Sequence, residues 1–145
     1  MSRPAYESNE NLSEEEKVAY FVAAAWGGEP VKLPKFYKCD WGIVKLGSIK
    51  ALIEIKCRDF MPDKYPTLIL SADKWTYLCC SDFALGIPCL FVARFADQSI
   101  RYIRPSHQQG FIVNLGGRSD RSDWQDMEPV VHIPIDQMLP IKSNL

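Results

Sequence analysis

The segment Ala51–Arg58 is the part of this chain that most constrains its fold, because apolar and charged residues are interleaved along it. Side chains alternate along a strand, so the segment has one wholly apolar face and one face that carries charge. The second face consists of Leu52, Glu54, Lys56 and Arg58. Charge on a covered face is costly unless it is paired or binds a metal. The pattern therefore predicts a core strand with a charged site on one side.

A β-hairpin is predicted immediately upstream. Residues 37–44 form its first strand, and Leu46-Gly47-Ser48 form a three-residue turn with the glycine in the left-handed position. Asp40 and Glu54 each lie seven residues from Gly47, so this hairpin pairs them. Two carboxylates on opposed residues, with Cβ atoms about 5 Å apart, repel each other unless a cation lies between them, and Mg²⁺ prefers oxygen ligands. The spacing predicts an acidic metal site with Lys56 beside it.

This arrangement resembles the PD-(D/E)XK nuclease superfamily, and in particular a small phage-type or Holliday-junction-resolvase-like member. The matching residues are Asp40, Glu54 and Lys56, with Ile55 as the intervening apolar residue. Cys39 stands where the proline of the motif would be. The order of predicted elements over roughly residues 12 to 104 is also similar to the helix, three strands, helix and strand of the superfamily. A surface hairpin with a Glu54–Lys56 salt bridge is the alternative interpretation.

The resemblance implies an α/β fold with a restriction-endonuclease-like core: a mixed central β-sheet flanked by two α-helices, with a C-terminal extension over residues 105–145. The length agrees with a single nuclease-like domain over residues 1–145, in which residues 1–11 are expected to be flexible. Strands are predicted at about 35–38, 39–45 and 50–58. A late strand contains Pro134, which favours an edge position.

Two helices are predicted between these strands. The first begins after Ser13 and ends near Trp26, and the second extends from a cap at Ser71 or Asp73 to Leu85. An apolar strand after the second helix would return beside the central strands through a right-handed crossover.

Three acids at the start of the first helix, Glu14, Glu15 and Glu16, are candidates for the glutamate that this superfamily often carries there. Glu15 borders the apolar face of the helix, whereas Glu16 points nearly opposite and can form a capping box with Ser13. We therefore expect Glu15 to be the site residue. The alternative is that all three are solvent-exposed acids favoured by the helix dipole.

The resemblance implies a Mg²⁺-dependent nuclease that hydrolyses phosphodiester bonds in DNA. Mg²⁺ or Mn²⁺ would be held by Asp40, Glu54 and the Ile55 carbonyl, with Lys56 and Glu15 in catalytic roles. The alternative function is a catalytically silent nuclease-fold module that binds nucleic acid or a protein partner. An intact Asp40, Glu54 and Lys56 set favours the enzyme.

Charge along the chain is uneven. Residues 32–74 contain nine Lys and Arg against five acids, whereas the first thirty residues contain six acids against two bases. This excess of positive charge coincides with the predicted metal hairpin, as a phosphate-binding site requires. Lys74, Lys64 and Arg58 are the expected nucleic-acid contacts, although a solvated basic surface is the simpler interpretation of any one lysine.

The cysteines and the hydropathy indicate the compartment. None of the five cysteines forms a C-x-x-C pair, so reduced thiols in a cytoplasm are expected, in a bacterium or a phage-infected host cell. No segment approaches the ~20 apolar residues that span a bilayer. The resemblance implies DNA as the partner, the hydropathy predicts no membrane partner, and a homodimer is possible.

Overall fold

The computed structural model describes residues 13–117 and 127–142. The predicted flexible segment 1–11 lies outside this part of the chain. The elements, in chain order, are α1 (Glu14–Ala25), β1 (Glu29–Lys32), β2 (Trp41–Lys45), β3 (Ser48–Cys57), β4 (Thr67–Ser71), α2 (Ala72–Leu85), β5 (Cys89–Arg94), β6 (Ile100–Ile103), β7 (Val113–Gly117), β8 (Met127–Pro134) and β9 (Leu139–Pro140).

Both helices begin and end where local chemistry favours it. Ser13 and Glu16 form the predicted capping box at the start of α1, with each side chain bonded to the backbone of the other residue. The Ser71 hydroxyl accepts a hydrogen bond from the Lys74 amide at the start of α2. Helix α2 ends at Gly86, whose φ of 68° is the left-handed conformation that glycine adopts without strain.

The central sheet has six strands in the order β1-β2-β3-β5-β6-β9. Strands β3 and β5 are parallel and are connected through β4 and α2, while the other neighbouring pairs are antiparallel. Helix α1 packs on the face that carries Ile53 and Ile55, and α2 packs on the face that carries Leu52. The predicted α/β class, with a mixed central sheet flanked by two helices, is confirmed.

The C-terminal extension builds a second sheet. Strands β7 and β8 join β4 in a three-stranded sheet of order β4-β8-β7, and β9 adds to the edge of the central sheet. The prediction of an edge position for β8 was wrong, because β8 is the middle strand. Pro134 is its last residue, so the missing N–H interrupts no internal hydrogen bond of the ladder.

The structure also corrects the predicted first strand. Residues 35–38 belong to a loop, and the edge strand β1 lies earlier, at Glu29–Lys32. Pro30 obscures this strand in the sequence, because a proline cannot donate a hydrogen bond to a sheet ladder. A proline is tolerated there because β1 is the outermost strand of the sheet and needs hydrogen bonds on one side only.

The predicted three-residue turn of the hairpin is a two-residue turn. Leu46 and Gly47 both have positive φ values, 54° and 80°, and Lys45 pairs with Ser48. The register then shifts between Ile43 and Val44, where a bulge adds one residue to β3. In the two described ranges, no helix is long and apolar enough to cross a membrane.

Candidate active site

The hairpin register brings two carboxylates to one place on the sheet. Trp41, the first residue of β2, pairs with Ile53. Continuing this register by one residue sets Asp40 opposite Glu54. The two-residue turn and the one-residue bulge in β3 together pair the same residues as the three-residue turn that the sequence suggested. Both side chains therefore lie on the α2 side of the sheet.

Glu54 is buried and holds two lysines on a single oxygen. Its side chain is 1% exposed. Lys74 Nζ lies 2.7 Å from Glu54 Oε2, and Lys56 Nζ lies 3.6 Å from the same atom. The other oxygen, Oε1, is buried and has no hydrogen-bond partner among the described residues. A buried acceptor without a partner is costly, so Oε1 is suited to a ligand that the protein itself does not supply.

Burial dominates the electrostatics of Glu54. Burial raises the pKa of Glu54, the charge of Asp40 raises it further, and the hydrogen bond from Lys74 and the charges of both lysines oppose this rise. Burial lowers the pKa of Lys74, but the hydrogen bond and charge of Glu54 and the charge of Asp40 outweigh burial, and the net shift is upward. The two lysines balance the charges of the two carboxylates, so the raised pKa of Glu54 reflects chiefly the cost of burying its charge.

The backbone of β3 adds a third oxygen. The amides of Leu52 and Arg58 donate to carbonyls at either end of β5, so even-numbered residues of this strand direct their polar backbone groups toward β5. The odd-numbered Ile55 therefore directs its carbonyl toward β2, just beyond the last pair of the ladder and on the side of Asp40.

These donors suit a hard divalent cation. Two carboxylates and one carbonyl are the all-oxygen set that Mg²⁺ binds in proteins. Within residues 13–117 and 127–142, no three His, Cys, Asp or Glu side chains cluster closely enough to hold a metal ion. The fit therefore depends on the free Oε1 atom of Glu54 together with Asp40 and the Ile55 carbonyl.

The sequence matches a protein-family model over residues 1–141, and that family is described as "Phage putative PDDEXK endonuclease". The chain belongs to this family. No curated protein matches it. Among solved structures, it is similar to the 1.6 Å structure of Archaeoglobus fulgidus Hjc, a Holliday junction resolvase from an archaeal hyperthermophile. The TM-score is 0.58 at 17% identity, over 88% of each chain, which shows a shared fold.

A groove of about 510 Å³ adjoins the carboxylate cluster of this PD-(D/E)XK chain. Lys56, Arg58 and Lys74 line one side of it. The opposite wall comes from the second sheet and includes Gly116 and Val130. The C-terminal extension, to which the sequence assigned no role, thus forms a wall of the groove that is also lined by Lys56 and Lys74, the two lysines that contact Glu54.

Lys64, by contrast, does not line this groove. It lies in the loop between β3 and β4, with its Nζ 5.5 Å from the centre of the Tyr65 ring. The structure therefore brings Arg58 and Lys74 together with Lys56 and leaves Lys64 apart from them. A role for Lys64 in nucleic-acid binding stays a prediction.

The three helix acids have different surroundings. Glu16 is engaged in the capping box, and Glu14 Oε2 lies 3.8 Å from the guanidinium of Arg94. The Glu15 side chain has no hydrogen bond or ion pair with another described residue, and it lines a small surface pocket with Trp41. Helix α1 covers the sheet face opposite Glu54, so Glu15 would approach the cluster only around the sheet margin near Trp41. Its role stays a prediction.

A second cavity, of about 460 Å³, is separate from the cluster. It lies near the β2–β3 turn, where Lys45 and Lys50 border a floor formed in part by Trp26 and Tyr102. None of the predicted site residues lines it. The cavity has no part in the chemistry considered for Glu54.

Two ion pairs of α2 could not be found from the sequence. The Lys74–Glu54 contact depends on how α2 packs over β3, and neither spacing nor periodicity reports that packing. The other pair joins Asp82 to Arg104, with Nε to Oδ2 at 2.7 Å and the second guanidinium nitrogen to Oδ1 at 3.0 Å. Asp82 also accepts from the Cys89 amide, so it attaches α2 to β5. It supports the helix that carries Lys74.

Proposed function

We propose that this protein is a Mg²⁺- or Mn²⁺-dependent nuclease that hydrolyses phosphodiester bonds in DNA. The observation that carries the proposal is the difference between the two carboxylate oxygens of Glu54. One carboxylate oxygen binds two lysines, while the other is buried without a partner beside Asp40. A purely structural salt bridge would not require the second carboxylate or leave an acceptor unsatisfied.

Asp40, Glu54 and the Ile55 carbonyl would hold the cation. When bound, a divalent ion supplies Lewis-acid polarisation of the scissile phosphate and a lowered pKa for water. The hydrogen bond from Lys74 favours the ionised form of Glu54 and opposes the rise of its pKa on burial.

Lys56 is the proposed catalytic residue for the attacking water. Its ammonium lies on the groove side of Glu54 and is about one-third exposed, so it can reach both water and phosphate. As an ammonium it would position the water and stabilise the negative charge that develops as the water oxygen bonds to phosphorus and the leaving oxygen departs, and as a neutral amine it would accept the proton of the water. Glu15 is the proposed second catalytic residue, which would orient the water through its charge.

DNA is the proposed substrate, bound in the groove through Arg58 and Lys74 with a contribution from Lys64. Membership in a phage endonuclease family and a fold shared with a Holliday junction resolvase support this substrate. The proposed location is the cytoplasm of a bacterial or phage-infected host cell. Phosphate contacts of this kind release counterions, so binding should weaken steeply with salt.

The test is incubation of the purified protein with linear, circular and branched DNA, with and without Mg²⁺ or Mn²⁺. We expect metal-dependent cleavage that Asp40→Asn abolishes while the variant remains folded by circular dichroism. Cleavage that persists in EDTA would refute the metal role. DNA binding without cleavage of any substrate would instead favour the catalytically silent module.

A further inference from the structure

The loop between β1 and β2 carries an aromatic side chain that packing does not explain. Phe36 is 95% exposed and makes no ring contact with another described residue. A large apolar ring in water has lost the burial that normally stabilises it, about 25 cal/mol per Å² of apolar surface. Burial of the Phe36 ring therefore does not stabilise the folded protein.

The exposure of Phe36 does not come from a loosely held loop. The Tyr37 amide donates to the Pro34 carbonyl at 2.9 Å, and the Leu33 amide donates to the Asp40 carbonyl at 3.0 Å. Cys39, at the other end of the loop, is 1% exposed. Hydrogen bonds therefore hold the backbone on both sides of Phe36, and the exposed ring extends from an ordered part of the loop.

The loop is attached to the same helical turn that contacts Glu54. Lys38 Nζ lies 3.1 Å from a carboxylate oxygen of Asp73, the residue before Lys74, and the Tyr37 ring meets the Tyr77 ring edge-to-face at 6.2 Å. The loop that carries Phe36 therefore lies on the α2 side of the sheet. On this side lie Asp40, at the end of the same loop, and the carboxylate cluster.

The reach of the loop sets how close the ring lies to the site. Phe36 and Asp40 are four residues apart, so their Cα atoms are separated by at most about 14 Å. At the duplex rise of about 3.4 Å per nucleotide, this Cα separation corresponds to about four nucleotides, before the lengths of the two side chains are counted. Lys35, next to Phe36, is exposed and forms no ion pair with another described residue.

We propose that Phe36 forms a base-stacking site, and that the substrate is DNA with unpaired or opened bases within about four nucleotides of the scissile phosphate. An exposed aromatic ring beside a cation is the combination that single-strand-binding proteins use, because the ring stacks on a base while the cation neutralises phosphate. A fully paired duplex offers no free base face to this ring. The proposal rests on the proposed nuclease function and specifies its substrate.

The test compares binding to three DNAs of one sequence that carry 2-aminopurine: a full duplex, a duplex with a short gap, and a single strand. All proteins contain Asp40→Asn, and EDTA is present, so that nothing is cleaved and carboxylate repulsion is reduced. In this background we compare the parent protein with Phe36→Ala and Phe36→Trp. Phe83→Ala is the matched control, because Phe83 is 90% exposed but lies in the last turn of α2.

We expect Phe36→Ala to weaken binding to the gapped and single-stranded DNAs by about 5- to 100-fold. It should also abolish the stacking quench of 2-aminopurine and leave duplex binding nearly unchanged. Phe36→Trp should keep both the affinity and the quench, and Phe83→Ala should change neither. Equal loss on all three DNAs, or no loss, would overturn the stacking site.

Two further readouts separate the possible failures. If wild-type protein cleaves DNA with Mg²⁺ but Phe36→Ala behaves as wild type, the stacking site alone is refuted. If wild-type protein neither binds nor cleaves any DNA, the nuclease function is refuted as well. A change of oligomeric state in Phe36→Ala, measured by sedimentation, would show that Phe36 contacts a second subunit and would also overturn the proposal.

Discussion

Lys74 and Glu54 form the closest ion pair of the candidate site, with Nζ and Oε2 2.7 Å apart, yet the two partners differ sharply in exposure. The Glu54 side chain is 1% exposed and that of Lys74 is 33% exposed. Removing the lysine leaves the buried Glu54 carboxylate without its closest partner, whereas removing the carboxylate leaves an ammonium that can turn toward water. The pair should therefore respond asymmetrically to mutation.

We expect Lys74→Met to destabilise the metal-free protein by on the order of 3 kcal/mol, because Glu54 is then buried with Asp40 and only the more distant Lys56. Glu54→Gln should be neutral or stabilising, since it removes a carboxylate whose pKa the fold raises. Urea unfolding at pH 7 in EDTA measures both. Lys38→Met, which breaks an exposed pair with Asp73, is the control and should cost at most about 1 kcal/mol. Equal losses for Lys74→Met and Glu54→Gln would contradict this asymmetry.

A bound divalent metal should reverse the sign of the effect that the Glu54 carboxylate has on stability. The pKa of Glu54 is higher in the folded than in the unfolded protein, where it is 4.5. Its contribution to stability is therefore present below pH 4.5 and is lost as the pH rises through the folded pKa. Without metal, wild type should therefore lose stability relative to Glu54→Gln as pH increases from about 4.5. Bound Mg²⁺ favours the ionised carboxylate and stabilises the native state by mass action.

Melting temperatures with and without Mg²⁺ at pH 7 test this effect without any activity assay. We expect a rise for wild type that grows with Mg²⁺ concentration, and none for Glu54→Gln or Asp40→Asn. A Mg²⁺-induced rise of the same size in Glu54→Gln would place the cation elsewhere.

Asp82 should make the protein sensitive to acid. The hydrogen bonds from Arg104, which outweigh the cost of burial, lower the pKa of Asp82 to about 2. A lowered folded pKa contributes stability that is present above the unfolded value, 3.8, and is lost as pH falls toward about 2. Asp82→Asn should thus cost about 2 kcal/mol at pH 7 and progressively less below pH 3.8. Denaturation midpoints across this range measure the difference, and a cost independent of pH would rule out the ion pair as its source.

Glu15 and Glu16 of α1 should differ in function. The capping box needs only an acceptor oxygen on residue 16, so Glu16→Gln should leave turnover nearly intact. Glu15→Gln removes a charge proposed to orient the water and should cut turnover by about 10²-fold or more with little effect on melting temperature. Cleavage rates and melting temperatures of both variants decide this. An inactive Glu16→Gln with an active Glu15→Gln would assign the role to the capping residue.

Local patterns predicted the helices and the relation between Asp40 and Glu54, because these depend on neighbours in the chain. Ser13, Gly86 and the alternation in β3 each report a local preference. The position of β1 was missed because a proline is ambiguous until the edge of the sheet is known.

Contacts across the fold could not be predicted in the same way. The pairing of β8 with β4, the approach of Lys74 to Glu54 and the Asp82–Arg104 pair all depend on tertiary packing. Sequence periodicity assigns a residue to a face of an element but does not say which distant element covers that face. The residues that complete the site around Glu54 were therefore less predictable than Glu54 itself.

The second sheet determines how late in synthesis the groove can be completed. Gly116 and Val130, which wall the groove beside Lys56, are synthesised long after the carboxylates. A nascent chain, or one that stops before β8, would hold Asp40 and Glu54 but lack this wall and the strand that covers β4. The groove should therefore be complete only late in synthesis, after every residue proposed to contact DNA has already been made.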